Sequence, residues 1–305
     1  MNQTVAVPVQ RTSRIAQVVR DAIALTKPRV ISLLLLTMVM AMFITPAGLP
    51  SSRVVLIATV AGFLMAAGAN AVNMAYDADI DPLMGARTRM RPIPTGRVSV
   101  RTAYIYGFSL AAFSFVMFAS LVNLAAALWA VVGFVYYTLI YTRWLKRRTS
   151  QNIVIGGGAG AIPPMIGYAA ACGYVDVTAL MLFALIFLWT PPHFWALAIM
   201  IKKDYANAHV PMLPVVSGDA ETSRQIWLYS WVMVAMSLVF VVIGVSGWIY
   251  LLVAVAAGAL FVIRAWQLRK ITDIPHALTL YKYSLLYLAL LFAGLALDKI
   301  VLHTL

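Results

Sequence analysis

NAVNMAYDADIDPLMGARTRMRPIPTGR, running from Asn70 to Arg97, sets three aspartates and four arginines at the end of a long apolar run. If that run continues as a helix, Asn73, Asp77 and Asp81 fall at i, i+4 and i+8 and share one face, with Asn70 a turn earlier. Asp79 points elsewhere. Like charges stacked at the end of an apolar helix repel one another, so the array calls for a positive partner. Carboxylate and amide oxygens suit a divalent cation, and Mg2+ in particular, which commonly bridges protein carboxylates to phosphates.

Outward from this stretch the chain is apolar. Of its 305 residues 63% are hydrophobic and 11% charged, with a mean hydropathy of +0.89, the composition of a polytopic membrane protein and not of a soluble domain. A hydrocarbon layer of about 30 Å needs roughly 20 helical residues per crossing. Nine segments meet that length, near 28–47, 54–76, 102–119, 121–141, 153–172, 177–200, 226–245, 248–267 and 283–301, which predicts an all-α, nine-transmembrane-helix bundle.

The net charge of +13 is distributed as a topology signal, not as a nucleic-acid surface. Counted over alternate loops, 21 of the 23 basic residues lie on one side, and only Arg53 and Lys299 fall on the other. The positive-inside rule then puts the N-terminus in the cytoplasm and the C-terminus outside, which requires an odd number of spans. The first 27 residues are polar and lack the apolar core of a signal peptide, so 1–27 is read as a disordered cytoplasmic tail and 28–305 as one intramembrane domain. A single cysteine, Cys172, excludes an internal disulfide and any multi-cysteine metal site.

Other stretches add to the charged one. In LTKPRV, Lys27 and Arg29 sit at the cytoplasmic start of the first span, either as topological anchors or as phosphate contacts. Pro82, Pro92 and Pro94 with Gly85 and Gly96 turn the arginine-rich segment into a structured lid. VYYTLIYTRWLKRRTSQN carries an interfacial aromatic belt of Tyr136, Tyr137, Tyr141 and Trp144 into Lys146 and Arg147. The glycines at 156, 157, 158 and 160 lie within a span and serve close helix packing. In LWTPPHFWALAIMIKKDYANAHVPMLPVV, Pro191 and Pro192 are expected to interrupt a helix near the membrane midplane. His193 follows, flanked by Trp189, Phe194 and Trp195, and Asp204 lies about 16 Å further along at 1.5 Å per residue.

Taken together, Asn73, Asp77 and Asp81 offer metal ligands, Asp204 a further carboxylate, and Arg87, Arg91, Lys146, Arg147, Lys202 and Lys203 offer partners for phosphate oxygens. A diphosphate site opening onto an aromatic-lined membrane cavity fits an isoprenyl diphosphate. Cations would stabilise the charge that grows on diphosphate as the allylic C–O bond breaks, and aromatic faces would stabilise the carbocation. A secondary transporter with a substrate site at the broken helix is the competing class, although no inverted repeat is evident and the charges gather at one surface.

The Asn73, Asp77, Asp81 spacing followed by RTRMRPIPTGR resembles the first aspartate-rich motif of the UbiA-type intramembrane prenyltransferases. With LKRRTSQNIVIGGGAGAIPP and TPPHFWALAIMIKKDYANAHVPMLPVV it resembles, more narrowly, the branch that farnesylates haem. That resemblance implies a nine-helix enzyme of the bacterial inner membrane, with its site on the cytoplasmic side. It would transfer farnesyl from farnesyl diphosphate to a vinyl group of haem b, with hydration, giving haem O for terminal oxidases. Carried over by position, Asn73, Asp77 and Asp81 hold Mg2+ and diphosphate, Arg87, Arg91, Lys146 and Arg147 contact phosphate, and His193 with Trp189 meets the haem. A haem A synthase or another oxidase-assembly protein is the implied recipient. Members that prenylate quinone precursors carry a second pair of aspartates where this chain has only Asp204 beside Lys202 and Lys203, which leaves a lysine to supply part of that charge.

Overall fold

A computed structural model describes residues 14–304, and among them the chain is entirely helical apart from turns and loops. Helix α1 (Arg14–Thr26) and helix α2 (Pro28–Phe43) meet at a 49° bend. They are followed by α3 (Ser52–Tyr76), the one-turn α4 (Ala86–Arg89), α5 (Val100–Leu121) and α6 (Leu124–Leu145). Then come α7 (Asn152–Cys172), α8 (Val177–Met200), the short α9 (Lys202–Asn207), α10 (Leu213–Val242), α11 (Trp248–Lys270) and α12 (Ile274–Thr304). Eight of these are long and apolar enough to cross a membrane, and the bent pair α1–α2 makes a ninth if it counts as one span.

Small residues set the packing. A Cβ added to Gly167 of α7 would stand 1.8 Å from the Met38 carbonyl oxygen of α2, and one on Gly68 of α3 would stand 2.5 Å from the Gly107 carbonyl of α5. Backbones approach that closely only through residues without side chains, the means by which helices associate in lipid. The glycine run in α7 behaves the same way, with Gly156 under the Tyr141 ring and Gly158 under Tyr136.

Three expectations are corrected. Within the expected disordered tail, 14–26 is helix α1, while 1–13 lies outside the described residues. Its outward face carries Ile15, Val18, Val19 and Ile23, and its inward face places Asp21 against Arg97 at 2.9 Å. Apolar residues at i, i+3, i+4 and i+8 make an amphipathic helix whose mean polarity hides its periodicity. Second, Pro191 and Pro192 do not break α8, which runs unbroken from Val177 to Met200. Buried among α7, α10 and α12, the helix tolerates two missing donors because its neighbours hold it in place. Third, the last spans begin earlier than hydropathy placed them: α10 starts at Leu213 and kinks at Gly218 (φ 80), and α12 starts at Ile274.

Candidate active site

The last turn of α3 supplies the centre. Asp77 is its C-cap, and the bonds from Asp77 N to Asn73 O (2.9 Å) and from Asp81 N to Asp77 O (2.9 Å) carry the helical register past the helix end. Asn73, Asp77 and Asp81 therefore keep one face and are 4%, 1% and 0% exposed. Asp79 turns outward, as its position predicts, and takes a two-pronged bond from Arg147 at 2.6 and 2.7 Å. That guanidinium holds the Asp79 carboxyl below the usual carboxylate range.

Each buried carboxylate is hydrogen-bonded by one cation. Lys146 Nζ lies 2.6 Å from Asp77 Oδ2, which also accepts from Asn73 Nδ2 at 3.2 Å. Arg91 Nη1 lies 2.6 Å from Asp81 Oδ1. The second oxygen of each, Asp77 Oδ1 and Asp81 Oδ2, is buried with no hydrogen-bond partner. Burial raises the Asp81 carboxyl above its ordinary range, with Arg91 opposing the rise and the Asp77 charge adding to it. Among the described residues no three His, Cys, Asp or Glu side chains gather as a metal site, so the cavity offers two carboxylates and an amide instead. Two buried carboxylate oxygens without a hydrogen bond fit Mg2+, an ion that keeps several waters and completes its shell with phosphate oxygens.

Around them the cavity is lined by three basic side chains, Lys27, Arg91 and Lys146, beside the two carboxylates, a setting suited to an anion. The lid that carries Arg91 is folded. Ile93 is buried in a cluster with Leu25, Ala71, Met74 and Ala103, and Arg97 anchors the segment's far end to α1. Lys27 reaches in from the α1–α2 bend, where it takes left-handed backbone (φ 53) and donates to Asn73 Oδ1 at 2.7 Å.

The remaining wall is aromatic. From Tyr136 to Leu145, α6 widens to π-helical bonding, seen in Lys146 N to Tyr141 O at 2.9 Å. The extra residue per turn re-aims the side chains, a common device at functional sites. It brings Tyr137 and Tyr141 to the cavity, stacked at 5.7 Å, where Phe194 and Tyr205 join them. Burial, and then the Asp77 charge, push the Tyr205 hydroxyl up, so it stays neutral. Next to Phe194 in sequence, His193 stacks between Trp189 (4.2 Å) and Tyr281 (4.8 Å) and bonds Ser284 Oγ through Nδ1 at 2.6 Å.

The expected residues divide accordingly. Asn73, Asp77, Asp81, Arg91 and Lys146 meet in the cavity, and Arg147 lies beside it, 3.9 Å from Asp77. Asp204 packs against Gly85 of the lid, 2.4 Å from a Cβ built there, and is not part of the lining. Arg87 and Lys203 are exposed, and Lys202 pairs with Asp219 at 3.0 Å. These three are not brought to the site. Tyr137, Tyr141 and Tyr205 also line it, and no sequence motif marks them for that place. The interfacial-belt reading suits Trp144, which is exposed, but not Tyr137 and Tyr141, whose direction the π segment decides.

An all-helical membrane bundle with paired acidic and basic side chains sealed under a folded loop, beside an aromatic wall, defines an intramembrane transferase-like class. The chain belongs to the UbiA prenyltransferase family, whose pattern matches residues 34–296. It is 53% identical over 285 residues to a protoheme IX farnesyltransferase of Chloroflexus aurantiacus, covering 93% of this chain and 48% of that protein. It is 47% identical over 294 residues to the protoheme IX farnesyltransferase of Gloeothece citriformis, covering 96% and 91%. The chain spans about half the length of the Chloroflexus and Roseiflexus relatives that it matches. Its fold is similar to that of a digeranylgeranylglyceryl phosphate synthase (TM-score 0.76, 16% identity, 93% of this chain and 99% of the other). It is also similar to a UbiA homolog from Archaeoglobus fulgidus bound to DMAPP and Mg2+ (TM-score 0.64, 16% identity, 90% and 99%).

Proposed function

We propose that this chain is a Mg2+-dependent prenyltransferase that transfers the farnesyl group of farnesyl diphosphate to a vinyl group of haem b, giving haem O. The observation that carries the prenyl-transfer half is the pair of buried oxygens without a hydrogen bond, Asp77 Oδ1 and Asp81 Oδ2, set among Lys27, Arg91 and Lys146. The relatives' names support the haem half. In balance, the allylic C–O bond of farnesyl diphosphate breaks and a C–C bond forms to the terminal vinyl carbon. Water adds its hydroxyl to the other vinyl carbon, and diphosphate and a proton leave.

Asp77 and Asp81, with Asn73, would hold Mg2+, which would supply positive charge opposite the leaving diphosphate. Arg91 and Lys146 orient the two carboxylates, and their remaining N–H groups would serve phosphate oxygens. Lys27 adds a third positive group from the bend. Tyr137, Tyr141 and Phe194 present ring faces to the allylic cation and keep bulk water from it. The basic loops support a cavity on the cytoplasmic side of a bacterial inner membrane.

The test is to incubate purified protein with haem b, farnesyl diphosphate and Mg2+, and to look for haem O by chromatography and mass. Haem O is expected, and Asp77→Ala and Asp81→Ala are expected to abolish it while remaining folded. Prenylation of a quinone or chlorophyll precursor with haem b untouched would overturn the acceptor. Product formed equally well with a chelator present would overturn the role of the carboxylates.

A further inference from the structure

Thr142 lies in the π-helical stretch of α6 and is fully buried. One turn earlier, Thr138 Oγ1 donates to Phe134 O, four residues back, at 2.7 Å. Thr142 Oγ1 donates instead to Tyr137 O, five residues back, at 2.8 Å. The change follows the widening of the helix, which brings the carbonyl five residues back within reach. A hydroxyl has one proton to give, so with that proton on Tyr137 O the Thr142 oxygen can only accept.

What it accepts is the N–H of Asn73 Nδ2, at 3.0 Å and 69 residues away in the chain. An amide nitrogen carries two protons, and the second goes to Asp77 Oδ2 at 3.2 Å. With its nitrogen turned to α6, Asn73 presents its oxygen to the cavity, where Lys27 Nζ donates to it at 2.7 Å. The opposite turn of the amide would set that oxygen against two acceptors, the Thr142 oxygen and the Asp77 carboxylate, and aim its N–H groups at Lys27. Of the three partners of this side chain, Lys27 and Asp77 line the cavity and Thr142 does not. Thr142 is therefore the support that stays in place when a cation draws on Asp77 and displaces Lys27.

We propose that Thr142 is a positioning residue of the metal site, holding the Asn73 amide so that Oδ1, and not Nδ2, faces a divalent cation. The proposal rests on the Mg2+ reading of the cavity given above. It gives the π-helical stretch a second task beside aiming Tyr137 and Tyr141. A hydrogen bond from behind, to an oxygen whose own proton is spent on backbone, orients Asn73 as the outer partners of metal-bound side chains orient their ligands.

The test is calorimetric titration of the whole protein in detergent with Mg2+ alone, without farnesyl diphosphate or haem. Thr142→Val removes the accepting oxygen at nearly constant shape, and Thr142→Ala removes it without bringing a methyl group against the amide. Both are expected to bind Mg2+ about tenfold more weakly, the scale set by partners of metal ligands, while Thr142→Ser, which keeps the hydroxyl, binds as wild type does. In an Asn73→Ala background, Thr142→Val should cost nothing further, because a residue that acts through Asn73 has nothing left to hold. Wild-type affinity in Thr142→Val or Thr142→Ala would overturn the proposal. So would a tenfold loss that persists in the Asn73→Ala background, or an equal loss in Thr142→Ser, since either marks a packing role. No Mg2+ binding by wild type would overturn the metal reading itself and the proposal with it, an outcome distinct from the others because the variants would then have nothing to lose.

Discussion

Lys27 Nζ donates to Asn73 Oδ1 at 2.7 Å, across 46 residues of chain, from a backbone conformation that non-glycine residues rarely adopt (φ 53). The amide nitrogen of Asn73 is already committed to Asp77 Oδ2 and to Thr142 Oγ1. Its oxygen, the only atom of that side chain able to ligate a metal, therefore accepts from the Lys27 nitrogen. A cation that recruits Asn73 must displace Lys27, and left-handed backbone, costing on the order of 1 kcal/mol or more, makes the displaced state accessible. We expect Lys27→Met to bind Mg2+ about tenfold more tightly in the absence of substrate, the equivalent of about 1.4 kcal/mol for one charge-assisted bond. The same variant should bind farnesyl diphosphate more weakly. Calorimetry of each ligand separately is the check, and unchanged or weaker Mg2+ binding would show that the two cations do not compete.

Asp81 gives a pH dependence of known sign. Its carboxyl is raised by burial, so protonation sets in at a higher pH than for an ordinary aspartate, and a proton competes with the metal there. Mg2+ affinity should be constant at neutral pH and fall as pH drops towards the raised carboxyl, before an exposed aspartate would titrate. Arg91 opposes the rise, so Arg91→Met should move that fall to higher pH. Metal titrations across pH decide it. A midpoint that moves the other way in Arg91→Met would mean that the guanidinium acts on some group other than Asp81.

Gly167 offers a purely structural contrast. The Met38 carbonyl at 1.8 Å from its Cβ position is backbone and cannot swing aside, so α2 and α7 must separate to admit a methyl group. Overpacking of this kind costs typically 1–3 kcal/mol. Gly167→Ala should lower the thermal midpoint in detergent and weaken Mg2+ and haem binding together. Gly160→Ala, where a Cβ meets nothing within 4 Å, should leave the midpoint unchanged and serves as the control.

What the sequence determined by itself is whatever depends on local periodicity and on water against lipid. Long apolar runs fixed the spans, the loop charges fixed the expected orientation, and spacing of four fixed the shared face of Asn73, Asp77 and Asp81, which persists beyond the end of α3. Helix α1 escaped this reading because one exposed apolar stripe averages out among Arg14, Gln17, Arg20 and Asp21. Only the tertiary structure decided which charges meet. Arg91 reaches Asp81 while Arg87, one turn earlier, faces solvent, and Lys202 turns to Asp219 instead of the cavity. The π-helical turn that aims Tyr137 and Tyr141, and the pairing of His193 with Ser284 across 91 residues, were likewise closed to inspection of either segment alone. The reason is geometric. A side chain's partner is set by how closely two helices approach and at what rotation, and glycines such as Gly167 and Gly68 fix that approach through contacts with residues far away in the chain.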